Sequence, residues 1–115
     1  MWAGRALLFL WIAGCVTGTI GGPVRAGALV DGSYEGEYKS FPNSARVRVK
    51  VARGRIADVL ILSHFASGIG HRADDVIPGR IVAEQCTAVD AVTGATNSSR
   101  VIMNAVEVAL KDARR

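Results

Sequence analysis

The sequence contains little of what several classes of protein require. Its aromatic residues are few, two Trp, two Tyr and three Phe, and they do not alternate with basic residues, so nucleic-acid binding is not expected. It has two cysteines. If Cys15 is lipidated or removed, Cys86 has no partner within the chain and a structural disulfide is excluded. No Cys or carboxylate completes a plausible ligand set with the two histidines, His64 and His71, so we predict no metal site.

The composition indicates one small folded domain. The chain has 115 residues, of which 50% are hydrophobic and 21% are charged, which is typical of globular rather than disordered proteins. The net charge is +4, and only residues 46–50, with the pattern Arg-Val-Arg-Val-Lys, form a basic stripe. We interpret this stripe as the solvated face of a strand. Attraction to anionic lipid or to an acidic partner is the alternative.

The N-terminus has the layout of an export signal. One positive charge precedes a short apolar run at residues 6–13, and small residues follow. The segment Ile12-Ala13-Gly14-Cys15 resembles a bacterial lipobox, which makes Cys15 the lipidation candidate. A soluble form cut near residues 24–28 and an uncleaved anchor are the alternatives. We therefore expect residues 1–29 to be a signal peptide or lipoprotein signal followed by a flexible tether, and the protein to be exported to the periplasm or the outer face of the bacterial cell membrane.

Residues 30–115 are predicted to fold as an α+β domain. Three segments have strand patterns, separated by turn residues: Ser33–Lys39, Ala45–Val51 and Ile56–Leu62. A short helix is predicted over residues 76–85 with Pro78 in its first turn, and residues 87–90 are predicted to be extended. A strongly amphipathic helix is predicted from Ser98 or Ser99, which would supply the N-cap, to Ala113. The expected fold is a small antiparallel sheet of three or four strands with two helices packed on it.

The segment just before the last helix carries the most information about function. It reads Asp90-Ala91-Val92-Thr93-Gly94-Ala95-Thr96-Asn97-Ser98-Ser99. Small and hydroxylated residues at a helix N-terminus favour an anion such as a phosphate, because the first N–H groups of the helix are free to bind it. Thr96 is the hydroxyl best placed to bond to such a group. A capped helix preceded by a glycine turn explains the same residues without a ligand.

From Asp31 onward the chain resembles the FMN-binding domain family, which includes flavin-bearing subunits of Rnf-type and sodium-pumping NADH:quinone oxidoreductase complexes. The matching residues are the opening residues 31–36, the paired strands around residue 54, the loop at residues 64–70 and the segment at 90–99. In that family this segment is the recognition sequence of a flavin transferase, which moves FMN from FAD onto the last Thr. The resemblance implies that Thr96 is the acceptor, that Thr93, Gly94 and Ala95 are read by the transferase with Asp90 upstream, and that Ser98 and Ser99 lie near the phosphate.

The resemblance also implies a place for the flavin ring. Larger relatives carry a Glu-Thr-Pro-Gly-type loop near the isoalloxazine. Here the corresponding stretch keeps Gly68 and Gly70 but lacks the acid and the proline. We expect the ring to lie over this loop, with Phe65 and Ile69 shielding it and His64 as the residue that contacts flavin N or O atoms.

The functional prediction is an exported, membrane-associated, FMN-binding electron-transfer protein, with FMN attached through a phosphoester to Thr96. It is expected to be an electron-carrier domain rather than a stand-alone enzyme. Its expected partners are a flavin transferase during maturation, membrane redox proteins as electron donor or acceptor, and the membrane through its N-terminus. The alternatives are a module that binds FMN or another phosphorylated ligand non-covalently, and a structural lipoprotein without a cofactor.

Overall fold

The computed structural model describes residues 21–24, 27–66 and 68–114. The described elements are three strands and two helices: β1 (Gly32–Ser40), β2 (Asn43–Ala52), β3 (Arg55–Phe65), α1 (Arg72–Glu84) and α2 (Thr96–Ala113). A 3₁₀ turn at Gly68–His71 leads directly into α1. The strands form one antiparallel sheet in the order β1-β2-β3. The predicted α+β architecture is therefore confirmed.

Two short turns set the register of the sheet. Phe41 and Pro42, joined by a cis peptide bond, connect β1 to β2. Arg53 and Gly54 connect β2 to β3, with φ angles of 58° and 72°. A two-residue hairpin with positive φ at both positions is of type I′, whose twist matches that of the strands it joins. The predicted antiparallel sheet is confirmed, although β3, predicted to end at Leu62, continues to Phe65 and so includes His64.

Strand β2 separates a buried face from a wet face as its alternation predicts. Val47, Val49 and Val51 are buried, while the basic residues between them are exposed. The interpretation of this basic stripe as a solvated strand face is confirmed. Across the wet face, Glu35 on β1 forms ion pairs with Arg46 and Arg48 at 2.9 Å and 2.8 Å.

Helix α2 lies across β1 and β2 on the buried face of the sheet. Its predicted apolar face is buried: Val101, Ile102, Ala105, Val106, Ala109 and Leu110. The helix packs tightly against Gly36 on β1, where a Cβ would lie 2.2 Å from the carbonyl oxygen of Ala105. The remaining core residues come from the other elements and include Leu29, Val47, Val49, Ile56, Ile77 and Ile81.

Helix α1 begins at Arg72, earlier than the predicted start at Val76. Asp74 and Asp75 in its first turn suit the positive end of the helix dipole. Pro78 therefore lies inside the helix and not in its first turn, where it was predicted. Because a proline has no N–H, Pro78 cannot donate the helical hydrogen bond that the carbonyl of Asp74 would otherwise accept.

The residues before β1 do not behave as the predicted flexible tether. In the described ranges 21–24 and 27–29, the N–H of Val24 donates to the carbonyl of Gln85 at 2.8 Å, and Leu29 is 1% exposed. The extended segment predicted over 87–90 is not a strand. Thr87 is buried there, and its hydroxyl donates to Glu107 at 2.9 Å.

The signal sequence, with the lipidation candidate Cys15, lies outside the described residues. Among the residues that the structure does describe, no helix is both long and apolar enough to cross a membrane. Cys86 is fully buried just after the end of α1, and it is not a free thiol.

Candidate functional site

The segment singled out in the sequence forms a tight turn that opens α2. The N–H of Ala95 donates to the carbonyl of Val92 at 2.9 Å, and Gly94 between them has a φ of 83°. Only glycine adopts that angle without strain, which explains why this position is glycine. The turn places Thr96 at the first position of the helix.

The helix has no side-chain cap, so the prediction that Ser98 or Ser99 caps it is wrong. The N-cap residue is Ala95, whose side chain offers no hydrogen bond. Both serines lie within the first turn and are buried. The hydroxyl of Ser99 donates to the carbonyl of Ala95 at 2.7 Å and accepts from the N–H of Val92 at 3.0 Å. Ser99 therefore holds the turn in place.

The start of α2 presents free hydrogen-bond donors to a cavity. The first backbone hydrogen bond of the helix runs from the N–H of Ser99 to the carbonyl of Ala95. The N–H groups of Thr96, Asn97 and Ser98 therefore have no acceptor within the helix. The Thr96 side chain is exposed, and its hydroxyl forms no hydrogen bond with any other described residue. The adjoining cavity, of about 340 Å³, is lined by Asn43, Gly70, Gly94, Ala95, Thr96, Asn97 and Ser98.

A second, mainly apolar cavity adjoins the first at the β1–β2 turn. It measures about 330 Å³ and is lined by Lys39, Phe41, Pro42, Asn43, Ser44 and Phe65. Asn43 lines both cavities, so the two are neighbours. Phe41 is 98% exposed and Phe65 is 66% exposed. Two large aromatic side chains held open to solvent beside a polar cavity form a surface suited to a planar ligand.

The structure brings some of the predicted site residues together and not others. The first cavity is lined by Gly70, Gly94, Ala95, Thr96 and Ser98. Four predicted residues line neither cavity: His64, Asp90, Thr93 and Ser99. The backbone of Gly68 lies in the 3₁₀ turn beside Gly70. Sequence reasoning missed Asn43 and Phe41, for which the only sequence signal is an aromatic residue in a hairpin turn.

The side chain of His64 turns away from solvent and toward α1. It is 1% exposed, and its Nδ1 contacts Oδ1 of Asp74. The second carboxylate oxygen of Asp74 lies 3.2 Å from Nδ1 of His71. The expectation that no carboxylate joins the two histidines is therefore wrong. Helix α1 begins early enough to place Asp74 between them.

Comparison with known proteins identifies the family of this fold and site. Residues 43–111 match the family described as FMN-binding domain. An uncharacterized protein of Treponema pallidum (strain Nichols) is 33% identical over 88 residues, which cover 72% of this chain and 23% of that protein. The chain thus spans less than a quarter of the length of that relative.

A solved structure shares the fold. The crystal structure of the CPE2226 protein from Clostridium perfringens aligns with a TM-score of 0.60 and 21% identity, covering 74% of this chain and 88% of that chain. Because the matched family segment spans more than half of the sequence, the chain belongs to the FMN-binding domain family.

FMN is accordingly the cofactor of this domain, and the two cavities fit its two ends. The uncapped N-terminus of α2 offers N–H donors for the phosphate. The cavity between Phe41 and Phe65 offers apolar surface for the ring. Thr96 lines the first of these cavities.

Proposed function

We propose that this protein is an exported, membrane-associated electron carrier whose FMN is attached through a phosphoester to Thr96. One observation carries the proposal. The Thr96 hydroxyl is exposed, has no hydrogen-bond partner among the described residues and lies at the uncapped start of a helix beside a cavity. The N-cap residue is Ala95, which has no side-chain oxygen, so the first N–H groups of the helix stay free for a ligand.

In this proposal, the backbone of α2 binds the phosphate end of FMN. An ester on Thr96 puts its phosphate beside the free N–H groups of the first helical turn, where the helix dipole favours negative charge. The wall of small residues, Gly70, Gly94 and Ala95, leaves room for it. In this arrangement Ser98 also faces the phosphate, while Ser99 stabilises the turn through its two hydrogen bonds.

In this proposal, the ring end of FMN lies at the β1–β2 hairpin. From Thr96 the ligand extends past Asn43 toward Phe41 and Phe65. These two side chains gain most from a stacked partner, because both are largely exposed without one. FMN supplies a reversible carrier of electrons, and the residues of this chain bind it, orient it and cover its ring.

Attachment requires an enzyme that reads the segment before α2. Of the residues that the resemblance assigns to recognition, Asp90, Thr93 and Gly94 are exposed, so a flavin transferase could reach all three, whereas Ala95 is buried. In the transfer, Thr96 Oγ loses its proton and forms the new bond to phosphorus. The pyrophosphate bond of FAD breaks and AMP leaves. This balances the reaction without any redox change.

Export and membrane association are supported by the N-terminal sequence. The short apolar run and the lipobox-like segment ending in Cys15 favour a lipid anchor outside the cytoplasm. A carrier held at the membrane surface suits electron exchange with membrane redox proteins.

The test is to produce the full chain with and without a flavin transferase and to separate it under denaturing conditions. We expect flavin fluorescence to stay with the denatured protein only when the transferase is present. Thr96→Ala should abolish this label, whereas Asn97→Ala, which alters the same turn and keeps the hydroxyl, should retain it. The intact mass reports signal cleavage, lipid and flavin in one measurement.

Two results would overturn the covalent proposal. If unfolding releases the flavin fluorescence from the protein made with the transferase as well as from that made without it, the module holds FMN non-covalently. A label of equal strength on Thr96→Ala would show that another residue is the acceptor. Membrane association is tested separately, because Cys15→Ala should release the protein from the membrane fraction and leave flavin attachment unchanged.

A further inference from the structure

Three side chains of types that bind metals lie together beside Gly70, which lines the first cavity. His64 is at the end of β3, His71 ends the 3₁₀ turn and Asp74 is in the first turn of α1. One potential ligand atom from each residue lies within 4.8 Å of the other two. We infer that His64, His71 and Asp74 form a binding site for a divalent transition-metal ion of the Zn²⁺ type.

The spacing of the atoms suits such an ion. Zn²⁺ binds imidazole nitrogen and carboxylate oxygen at about 2.0–2.2 Å, so neighbouring ligand atoms in a tetrahedral site are roughly 3.4 Å apart. The distance from Nδ1 of His71 to Oδ2 of Asp74 is 3.2 Å. Nδ1 of His64 contacts the other carboxylate oxygen of Asp74.

The chemistry of the ligands selects the class of metal. Two imidazoles and one carboxylate match the borderline preference of Zn²⁺ and its first-row neighbours. Ca²⁺ and Mg²⁺ prefer sets of oxygen ligands. Three protein ligands leave a fourth position open, and His71 is 55% exposed, so water can reach the site from that side.

The rest of the structure holds the ligands in place. The His64 side chain is 1% exposed, and its Nε2 is buried with no hydrogen-bond partner among the described residues. The ring is therefore oriented by packing and by its contact with Asp74 rather than by a second acceptor. His71 and Asp74 are three residues apart at the start of α1, which places both on one side of that helix.

A metal ion at this position would cross-link β3, the 3₁₀ turn and α1. It would fix the 3₁₀ turn, whose Gly70 contacts Ser98 in the first turn of α2. The ion is therefore expected to stabilise the wall of the flavin cavity without touching the flavin. This inference does not depend on covalent attachment to Thr96.

The experiment uses the full chain without a histidine tag and measures Zn²⁺ binding by calorimetry, with Co²⁺ absorption as a spectroscopic check. We expect one ion per chain and a rise in Tm of roughly 10 °C at a hundredfold excess over Kd. Asp74→Asn keeps the size of the side chain and removes its charge. It should weaken binding by roughly tenfold or more, as should His71→Ala. Asp75→Asn is the matched control, because Asp75 is the exposed neighbour on α1 and should bind like the wild type.

Each outcome of this experiment either supports or overturns the metal site. Binding that is lost in Asp74→Asn and His71→Ala but kept in Asp75→Asn supports the site. No binding by the wild-type protein, or equal binding by Asp74→Asn, overturns it and leaves the three residues as a hydrogen-bonded link between β3 and α1. Because His71 and Asp74 are at the surface end of the cluster, circular dichroism of their variants should match the wild type and exclude misfolding as the cause of a loss.

Discussion

Gly70 lies so close to Ser98 that a Cβ on residue 70 would be 2.5 Å from the Ser98 hydroxyl oxygen. A Cβ there would also be 2.7 Å from that of Ala66. This contact joins the 3₁₀ turn to the first turn of α2, and both residues line the cavity at the start of that helix. The glycine is thus required for packing rather than for its backbone angle.

Gly70→Ala should therefore damage the fold and the flavin site together. We expect a loss of about 1–3 kcal/mol in the free energy of unfolding, because the added methyl group overfills a tight contact. FMN affinity should fall as well. Gly79→Ala is the matched control: a Cβ at residue 79 in α1 meets nothing within 4 Å, and alanine should stabilise the helix by about 0.5–1 kcal/mol. Urea unfolding of both variants tests this, and equal stabilities would contradict it.

Ser99→Ala should loosen the turn before α2. The substitution removes the acceptor for the N–H of Val92 and the donor to the carbonyl of Ala95. Leaving buried polar groups unpaired costs about 1–3 kcal/mol. Ser98→Ala should cost less, because the Ser98 hydroxyl forms no hydrogen bond within the described ranges. Chemical denaturation compares the two, and a larger loss for Ser98→Ala would refute the role assigned to Ser99.

The exposed aromatic residues at the β1–β2 hairpin should matter for the flavin and not for the fold. Phe41→Ala and Phe65→Ala are each expected to raise the Kd for free FMN roughly two- to tenfold, since a ring–ring contact is worth about 0.5–1.5 kcal/mol. Stability should change by less than about 0.5 kcal/mol, because both side chains are largely exposed. Leu60→Ala, a substitution of another exposed hydrophobic residue, should leave both quantities unchanged. Fluorescence titration of protein made without a transferase provides the measurement.

The ion pairs on the wet face of the sheet give a pH-dependent contribution to stability. Hydrogen bonds from Arg48, and secondarily from Arg46, lower the pKa of Glu35 below its ordinary value of 4.5. Because the folded-state pKa is the lower one, the contribution is present above pH 4.5 and is lost as the pH falls through the lowered pKa. It should also weaken in high salt, since the pair is exposed.

Glu35→Gln tests this contribution. The difference in unfolding free energy between wild type and variant should be seen at neutral pH and should shrink below pH 4.5. Glu37→Gln is the control on the same strand, since Glu37 forms no ion pair in the described part of the chain. A difference for Glu35→Gln that does not change with pH would argue against the ion pairs as its cause.

Local patterns in the sequence determined most of the elements. The alternation of Val and basic residues predicts β2 and its wet face, and Arg53-Gly54 predicts the reversal that follows. The spacing of apolar residues predicts the buried face of α2. These features depend on neighbours along the chain, which is why they can be inferred from the sequence. The boundaries were less certain, as α1 shows: Pro78 suggested a first turn, but the helix starts at Arg72.

Contacts between distant segments decided the site. The sequence identified Thr96 as the acceptor candidate, but only the fold brings Asn43 and Phe41 of the β1–β2 hairpin beside the start of α2. Only the fold places Asp74 between His64 and His71, because that depends on where α1 begins and how it packs on β3. The motif at residues 90–99 predicts the chemistry of the site, which is flavin attachment at Thr96. The cavities and the histidine–aspartate cluster arise from packing between elements, which no local pattern encodes.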